Sequence, residues 1–369
     1  MAGRTDPQLG TTVVITADKI MKELIEKTRN GIDLNGNDIA YALTLLLSEE
    51  VNDEVKAEFL TVLHNKQESA DEIFGFADLL LQRAIDPGIN EAELNGPLID
   101  ICGTGGDGLN LFNVSTTIMF ILAAGGAQVV KHGNRSVTST CGSADVLEQL
   151  GVPLNLPPDE LRECVKRNGL GFIFAREYHP AFRALAEMRK RLARQKTRTI
   201  FNLLGPLINP ARPSRQLIGV FDPRLTSIFG DVLRRLERKR AWVVHGLTGL
   251  NGGMDDISIC GPTTVVELDN GKITSAVLDT RWIGIQPCPL EELNGGTPKD
   301  NAVALEGILS GELKGPKREM AIANAAGGFV VAGLAREMNH GIALAREQID
   351  SGKALAKLRA LQQFQAKIA

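Results

Sequence analysis

The sequence lacks an apolar run long enough to cross a membrane. Its longest such run covers residues 118–127, whereas a transmembrane helix needs about 20 apolar residues. Residues 1–15 lack the pattern of a secretory signal peptide. The sequence therefore predicts no membrane span and a cytoplasmic location.

Cysteine is scarce, and neither its number nor its spacing indicates disulfide bonds or a metal site. The number of cysteines is odd and no two are spaced C-x-x-C, which argues against a disulfide framework and against a zinc site. We expect reduced thiols at all five positions, which are Cys102, Cys141, Cys164, Cys260 and Cys288.

The chain also lacks a strong net charge, since its formal charge is -3 at pH 7. Such a charge gives no overall attraction to nucleic acid or to a membrane surface, so an anionic ligand must be held by local positive groups. What the chain does have is 369 residues of which 43% are hydrophobic, enough for a large core in one or two domains.

The first part of the chain predicts helices alone. Apolar residues recur at helical spacing, and Ser69 with Glu72 predicts a capping box at the start of the fourth helix. We place the helical domain at residues 1–96, with helices over 20–28, 39–47, 55–63 and 73–85.

From residue 97 onward the pattern alternates between short apolar runs and helices. Such alternation is typical of an α/β domain with a mainly parallel sheet. We predict C-terminal helices over 319–331 and 341–349, and strands over 98–102, 128–130, 171–175, 217–221 and 241–244. The predicted fold is a small all-helical N-terminal domain beside a large α/β domain at 97–369.

A glycine loop follows the first predicted strand. It comprises Gly103, Thr104, Gly105, Gly106 and Asp107, and it leads to Asn113-Val114-Ser115-Thr116 at the start of an apolar helix. Glycines let backbone amides approach an anion, and a helix N-terminus adds unpaired donors, so the order strand, loop, helix predicts a phosphate site. The alternative is a tight turn followed by an ordinary Ser/Thr cap.

Two further segments carry polar groups suited to anions. Lys131-His132-Gly133-Asn134-Arg135 follows the second predicted strand, at the edge where open α/β sheets bind ligands. Gly142-Ser143-Ala144-Asp145 precedes a helix predicted over 146–150. Taken alone, the first segment could be a solvated charge run with a structural histidine, and the second an ordinary cap.

Asp255 and Asp256 present adjacent carboxylates in a loop after the strand at 241–244. Magnesium prefers oxygen ligands and is often held by one or two carboxylates together with substrate phosphates. An adjacent pair of aspartates is more often a solvated loop. Three phosphate-type segments in the same chain favour the magnesium site.

A basic stretch lies in mid-chain. Tyr178-His179-Pro180-Ala181 predicts a helix start with proline at its first position, and Arg189 follows in that helix. A guanidinium can bind a carboxylate through two parallel hydrogen bonds. The alternatives are a basic solvated helix or a face for nucleic acid.

Several uncommon strings occur together in one order. They are D-I-C-G-T-G-G-D, N-V-S-T, K-H-G-N-R, G-S-A-D-V-L-E-Q-L-G-V, H-P-A-F, R-T-I-F-N-L-L-G-P-L-I-N-P and V-V-H-G. In these strings the chain resembles the anthranilate phosphoribosyltransferase family over nearly its whole length. The resemblance implies a fold of the nucleoside phosphorylase/phosphoribosyltransferase type, a helical domain completed by helices around 180–210, and a homodimer formed through that domain.

The resemblance also implies site residues. Magnesium would be held by Ser115, Asp255 and Asp256, and anthranilate by Gly103, Asn134, His179 and Arg189. Phosphoribosyl pyrophosphate would be bound by Gly103, Thr104, Gly105, Gly106, Asp107, Asn113, Val114, Ser115, Thr116, Lys131, His132, Gly133, Asn134, Arg135, Ser136, Val137, Thr138, Ser139 and Ser143.

The chain departs from the family pattern at a few places near these residues. Leu111 stands where the family usually has threonine, Asp256 where it has glutamate, and Arg176 where it has proline. The loops at 193–197 and 251–253 are longer than usual for the family. These departures affect the predicted metal and acceptor positions most.

The implied activity is transfer of the phosphoribosyl group to the amine of anthranilate, a step of tryptophan biosynthesis. The implied mechanism has no covalent nucleophile, and His132 or His179 would orient the amine or accept its proton, with Arg189 in support. The alternatives are a substituted aminobenzoate as acceptor, a pyrimidine nucleoside phosphorylase-like enzyme, and a non-catalytic relative that binds nucleic acid.

Overall fold

The computed structural model describes residues 16–136, 140–152, 154–185, 188, 191–192, 194–195, 197–249 and 252–366. The chain divides into two compact units. The smaller runs up to Arg83 and includes Ala181–Leu204, and the larger comprises Ala84–Pro180 and Gly205–Ala369. Within the described residues no helix has the length and apolar character that crossing a membrane requires.

The helices in chain order are α1 (Ala17–Arg29), α2 (Gly36–Leu47), α3 (Asp53–Lys66), α4 (Ala70–Gln82), α5 (Val114–Ala124), α6 (Ser143–Gln149), α7 (Pro158–Asn168), α8 (Ala175–Tyr178), α9 (Ala181–Ala184), α10 (Phe201–Leu204), α11 (Leu225–Arg235), α12 (Pro298–Leu309), α13 (Pro316–Ala332), α14 (Met338–Asp350) and α15 (Lys353–Ala366). The strands are β1 (Leu98–Gly103), β2 (Gln128–Gly133), β3 (Leu170–Phe174), β4 (Arg215–Gly219), β5 (Arg240–Leu247), β6 (Gly253–Met254), β7 (Thr263–Asp269) and β8 (Lys272–Leu278).

The smaller unit is built from amphipathic helices around a core that includes Leu43, Phe59 and Phe76. The predicted capping box is confirmed. The Ser69 hydroxyl accepts a hydrogen bond from the Glu72 amide at 3.3 Å, and the Glu72 carboxylate accepts one from the Ser69 amide at 2.9 Å. These two bonds satisfy amide groups that the start of α4 would otherwise leave unpaired.

The larger unit contains a sheet in the order β3-β2-β1-β4-β5-β7-β8, with β6 paired to β5. The strands from β3 to β5 are parallel, and β7 and β8 are antiparallel additions. Helices α5 and α13 are buried almost all round and belong to the core of this unit. The predicted fold class, a helical domain and a mainly parallel α/β domain, is confirmed.

Two predicted strands end too early. Strand β2 continues through Lys131, His132 and Gly133, which were expected in a loop, because their backbones pair with β3 from Phe172 to Phe174. Strand β5 likewise extends to Leu247. Polar side chains hid both extensions, since an apolar run stops where the first charged residue appears.

Helix α6 begins at Ser143, three residues before the predicted 146–150, so Ser143 lies in the first turn. The segment Ala84–Gly96, placed by the sequence with the helical domain, packs in the larger unit. There the Ile85 amide donates to the Tyr178 carbonyl at 2.8 Å, and the Arg215 guanidinium donates to the Glu91 carboxylate at 2.7 Å.

Candidate active site

A cavity opens at the carboxyl ends of the parallel strands in the larger unit. Its volume is about 180 Å³. In the sheet, the end of β1 at Gly103 lies opposite the end of β4 at Gly219. The residues that line the cavity are Cys102, Gly103, Gly105, Gly106, Asp107, Leu109, Leu111, Phe112, Asn113, Val114, Ser115, Lys131, Cys141, Gly142, Ser143, Asp255 and Asp256.

The glycine loop forms one wall and lies directly against Asp255. The Gly105 amide, at φ 64°, donates a hydrogen bond to Oδ2 of Asp255 at 2.7 Å. A Cβ atom on Gly103 would stand 2.1 Å from the same oxygen, and one on Gly219 would stand 1.5 Å from the Asp255 carbonyl. The two strand-end glycines therefore leave the space in which the Asp255 segment lies.

Three carboxylates share this cavity. Burial, followed by the neighbouring charges of Asp255 and Asp107, raises the pKa of Asp256 well above its ordinary value. Burial and then Asp255 raise the pKa of Asp107 to about 7. Crowded carboxylates favour either a proton or a cation between them.

Lys131 brings a buried positive charge to the same place. The residue is 1% exposed, and its ammonium donates to the Ile101 carbonyl at 2.6 Å and to the Ser115 hydroxyl at 3.1 Å. The extension of β2 carries this side chain beneath the start of α5. A lysine held so firmly presents a fixed positive charge to an anionic ligand.

The start of α5 completes the cavity with Asn113, Val114 and Ser115. The Asn113 side chain does not cap the helix. Its amide donates instead to the Cys141 carbonyl at 3.2 Å, which ties the start of α5 to the segment before α6. Unpaired amides and the helix dipole make this end suited to phosphate.

The oxygen donors of the cavity fit magnesium when a substrate supplies the rest of the ligand shell. Asp255, Asp256 and Ser115 line one space, and their oxygens are the hard ligands that magnesium prefers. In the described part of the chain, no group of three histidine, cysteine or acidic side chains could hold a metal ion by itself. A site of two carboxylates completed by phosphate oxygens agrees with both observations.

Comparisons with known proteins agree with this geometry. A model of the glycosyl transferase family, a/b domain, matches residues 95–355, and the helical bundle domain model of the same family matches residues 22–84. Anthranilate phosphoribosyltransferase of Haloferax volcanii is 42% identical over 93% of this chain and 100% of its own length. That of Moorella thermoacetica is 42% identical over 93% and 97%.

The chain belongs to the anthranilate phosphoribosyltransferase family.

Two solved structures of the family support the same assignment. The enzyme of Thermus thermophilus superposes with a TM-score of 0.82 at 38% identity, covering 92% of this chain and 98% of its own. The enzyme of Saccharomyces cerevisiae, solved with phosphoribosyl pyrophosphate and magnesium, gives 0.83 at 25% identity, covering 94% and 98%. The predicted family and enzyme class are confirmed.

Many of the predicted site residues meet at the cavity. Gly105, Lys131 and Asp255 line it together, although they come from distant parts of the chain. The other predicted residues that line it are Gly103, Gly106, Asp107, Asn113, Val114, Ser115, Ser143 and Asp256.

Other predicted site residues do not line the cavity. Thr104 is engaged with β4: its amide donates to the Gly219 carbonyl at 3.0 Å and its hydroxyl accepts from the Phe221 amide at 3.3 Å. Thr116 is buried, and the cavity lining also omits Gly133, Asn134 and Ser136. Val137, Thr138, Ser139 and Arg189 lie outside the described residues.

Arg135, a predicted anion ligand, uses its guanidinium elsewhere. It pairs with Asp145 at 3.0 Å and with both carboxylate oxygens of Glu148, at 2.7 and 2.8 Å. The Asp145 carboxylate also accepts from the Ser136 and Gly142 amides at 3.1 and 2.9 Å. This charge therefore braces the loop against α6.

The two family histidines are buried together. Their ring centroids lie 5.2 Å apart, and Nδ1 of His132 hydrogen-bonds the Gly205 carbonyl at 2.9 Å. Burial, with the His179 ring as a second cause, lowers the pKa of His132 to about 3. Burial lowers the pKa of His179 to about 4. Both imidazoles are neutral at pH 7.

Sequence reasoning missed some lining residues, including Cys102, Leu109, Phe112 and Cys141. It also missed Gly219, whose place after the apolar run of β4 repeats that of Gly103 after β1. Two strand-end glycines in neighbouring strands were the signal that could have identified it. The apolar lining residues carry no pattern of their own.

Proposed function

We propose that this chain transfers the phosphoribosyl group of phosphoribosyl pyrophosphate to the amine of anthranilate, with release of pyrophosphate, as a step of tryptophan biosynthesis. Family membership supports the reaction. The observation that carries the proposal for this chain is the single cavity in which a glycine loop, a helix start, a buried lysine and a carboxylate pair meet. Such a set suits a doubly phosphorylated sugar with a divalent cation.

The proposed reaction is a displacement at the anomeric carbon. The bond from this carbon to the anthranilate nitrogen forms while its bond to the pyrophosphate oxygen breaks, and the nitrogen loses one proton. Charge that develops on the leaving group is met by the Lys131 ammonium and by the amides at the start of α5, and their fixed position supplies most of the acceleration.

Asp255 and Asp256, with the Ser115 hydroxyl, would hold magnesium, which supplies positive charge to the pyrophosphate. Burial and then the neighbouring carboxylates raise the pKa values of Asp256 and Asp107, and a cation beside them would offset both effects, which supports a cation there. Asp256, shorter than the glutamate usual in the family, lies against the same cavity as Asp255, which supports its role as a ligand.

All the residues predicted to bind phosphoribosyl pyrophosphate are included in the proposed donor site, and they would have different roles. The residues that line the cavity would contact the sugar phosphates directly. Thr104 would fix the glycine loop to β4, and Arg135 would brace the loop that follows β2 through its pairs with Asp145 and Glu148. Asn134 and Ser136 would complete that loop, and His132 and Gly133 would form the end of β2 that leads into it.

For the acceptor we propose Gly103, Asn134, His179 and Arg189, with Arg189 pairing with the anthranilate carboxylate. The neutral histidines suit orientation of the amine by a hydrogen bond. Their lowered pKa values make them weak bases, so they would accept only a proton that the amine loses late in the reaction. Nε2 of His132 is buried with no hydrogen-bond partner among the described residues. The homodimer and the cytoplasmic location stay predictions.

The direct test follows the fluorescence of free anthranilate with donor and magnesium, together with pyrophosphate release. We expect both signals in equal amounts, and neither without donor. Phosphate-dependent cleavage of a pyrimidine nucleoside, with no pyrophosphate from the donor, would instead favour the phosphorylase alternative.

Two further arms separate the remaining alternatives. Substituted aminobenzoates in place of anthranilate test the identity of the acceptor. Faster turnover of one of them would make that compound the proposed acceptor instead of anthranilate. Nucleic-acid binding that weakens steeply with salt, without any turnover, would overturn the enzymatic proposal.

A further inference from the structure

A buried asparagine outside the predicted site lies directly behind the carboxylate pair. Asn324 belongs to α13 and is 1% exposed. Its Oδ1 accepts a hydrogen bond from the Ile257 amide at 2.9 Å, and its Nδ2 donates to the Ile257 carbonyl at 2.9 Å. A third bond, from Nδ2 to the Met320 carbonyl at 3.0 Å, fixes the side chain to its own helix.

Ile257 is the residue that follows Asp255 and Asp256. The bonds to Asn324 thus engage both backbone polar groups of Ile257, as a neighbouring strand would, although β6 ends at Met254. The Ile257 side chain also packs on α13, since a Cβ atom on Gly327 would stand 2.5 Å from its Cδ1. The backbone on the C-terminal side of the aspartate pair is thereby bound to a buried helix.

A small space of about 10 Å³ separates this anchor from the main cavity. Asn324 lines it together with Ser115, Asp255, Asp256 and Gly219. The three residues proposed for magnesium therefore share a wall with Asn324. A shift of the Asn324 amide would be passed through Ile257 to the two aspartates that precede it.

We propose that Asn324 is a positioning residue that fixes Asp255 and Asp256 in the direction required for magnesium. The proposal rests on the proposed function only in taking this pair as the metal ligands. Without the amide, Ile257 keeps its place through apolar packing alone, and the carboxylates lose their fixed orientation. Groups that orient metal ligands in this way typically change metal affinity by about 10- to 100-fold when they are replaced.

The test uses Asn324→Ser and Asn324→Leu in the full chain. The serine is too short to reach both groups of Ile257, and the leucine keeps the volume without hydrogen bonds. Calorimetry of phosphoribosyl pyrophosphate binding at increasing magnesium gives the magnesium concentration for half-maximal binding. We expect about a tenfold increase or more for both variants, with thermal melting recorded in parallel.

The matched control is Asn209→Ser. Asn209 is also fully buried, and its side chain also bridges two backbone groups, donating to the Val130 carbonyl at 2.8 Å and accepting from the Ala211 amide at 2.9 Å. We expect a similar loss of melting temperature with an unchanged magnesium requirement. An equal shift in the control, or none in the Asn324 variants, would overturn the proposal.

Gly327→Ala gives a second route that leaves Asn324 in place. The added methyl group presses on Ile257. The magnesium concentration for half-maximal binding should therefore rise, by less than in the Asn324 variants. An unchanged requirement in a folded Gly327→Ala variant would contradict the coupling between α13 and the aspartates. If the wild-type protein binds the donor with magnesium but does not consume anthranilate, the proposed function fails. The magnesium concentration for half-maximal donor binding still tests the role of Asn324 in that case.

Discussion

Lys131 and His132 are neighbours in β2, yet they belong to two different polar centres. Lys131 reaches the Ser115 hydroxyl beside the three carboxylates, whereas His132 reaches the Gly205 carbonyl and the His179 ring. Successive side chains of a strand point to opposite faces of a sheet. One dipeptide therefore supplies a charged centre for the donor and a neutral centre that we assign to the acceptor.

Burial disfavours the charged form at both centres, but the natural partners differ. At the carboxylate centre burial raises the pKa of Asp256 and of Asp107, and a cation would be the partner that restores their charge. At the histidine centre, burial removes charge and leaves two neutral rings. A sequence string such as K-H-G-N-R shows neither outcome, because both depend on what the sheet brings alongside.

The largest effect is expected from Lys131→Met, which removes the buried charge while keeping the length of the side chain. We expect kcat/KM to fall by about 10³-fold, because a fixed group that stabilises the developing charge is lost. Steady-state rates with the donor varied provide the measurement. A decrease in kcat/KM of less than about tenfold, in a variant with the melting temperature of wild type, would show that Lys131 does not act at the donor centre.

A smaller and more selective effect is expected from Arg189→Ala. A charged hydrogen bond contributes about 1.5–3 kcal/mol, so KM for anthranilate should rise by about 10- to 100-fold while the donor binds as before. Separate titrations of the two substrates measure this split. An equal loss of affinity for both substrates would show that Arg189 does not act specifically on the acceptor.

The effect that is smallest at neutral pH concerns protonation of the histidine centre. The folded-state pKa values of about 3 and about 4 lie below the ordinary value of 6.5, so the unfolded chain binds more protons between about pH 4 and 6.5. The free energy of unfolding should therefore fall as pH drops below 6.5, by about 1.4 kcal/mol per pH unit for each histidine.

Urea unfolding at several pH values measures this slope, and His132→Gln should reduce it by about the contribution of one histidine. Glutamine keeps a polar group near the Gly205 carbonyl, so it serves as the matched variant. A wild-type slope that His132→Gln leaves unchanged would show that these rings do not govern acid sensitivity.

The elements that could be predicted from the sequence are those that local patterns determine. Ser69 with Glu72 starts α4 as expected, and the glycine loop leads from β1 to α5. Helical spacing and caps depend on residues three or four positions apart, so a single stretch of sequence contains the whole signal.

The contacts that remained hidden join distant parts of the chain. The Gly105 amide meets Asp255, 150 residues later, and the Asp107 carboxylate joins the same group. The pairing of Arg135 with Glu148 depends on where α6 begins, which the sequence placed three residues too late. No local pattern contains these distances.

The hairpin of β7 and β8 was missed for a different reason. Strand β8 is largely exposed, and its apolar run is as short as Ala276-Val277-Leu278, so hydrophobicity gave only a weak sign of it. The turn did carry a signal: Asn270 and Gly271 both have positive φ, 47° and 86°, and Asn-Gly is the preferred pair for a two-residue hairpin turn.

The glycines of the cavity differ in what they would tolerate in a comprehensive substitution screen. Gly105 has a left-handed φ but nothing within 4 Å of an added Cβ, so asparagine, which adopts that conformation readily, should survive there. Gly103 and Gly219 have an ordinary φ and no room at all, so even alanine should be eliminated. Backbone geometry sets the tolerance at Gly105, and available volume sets it at the strand ends.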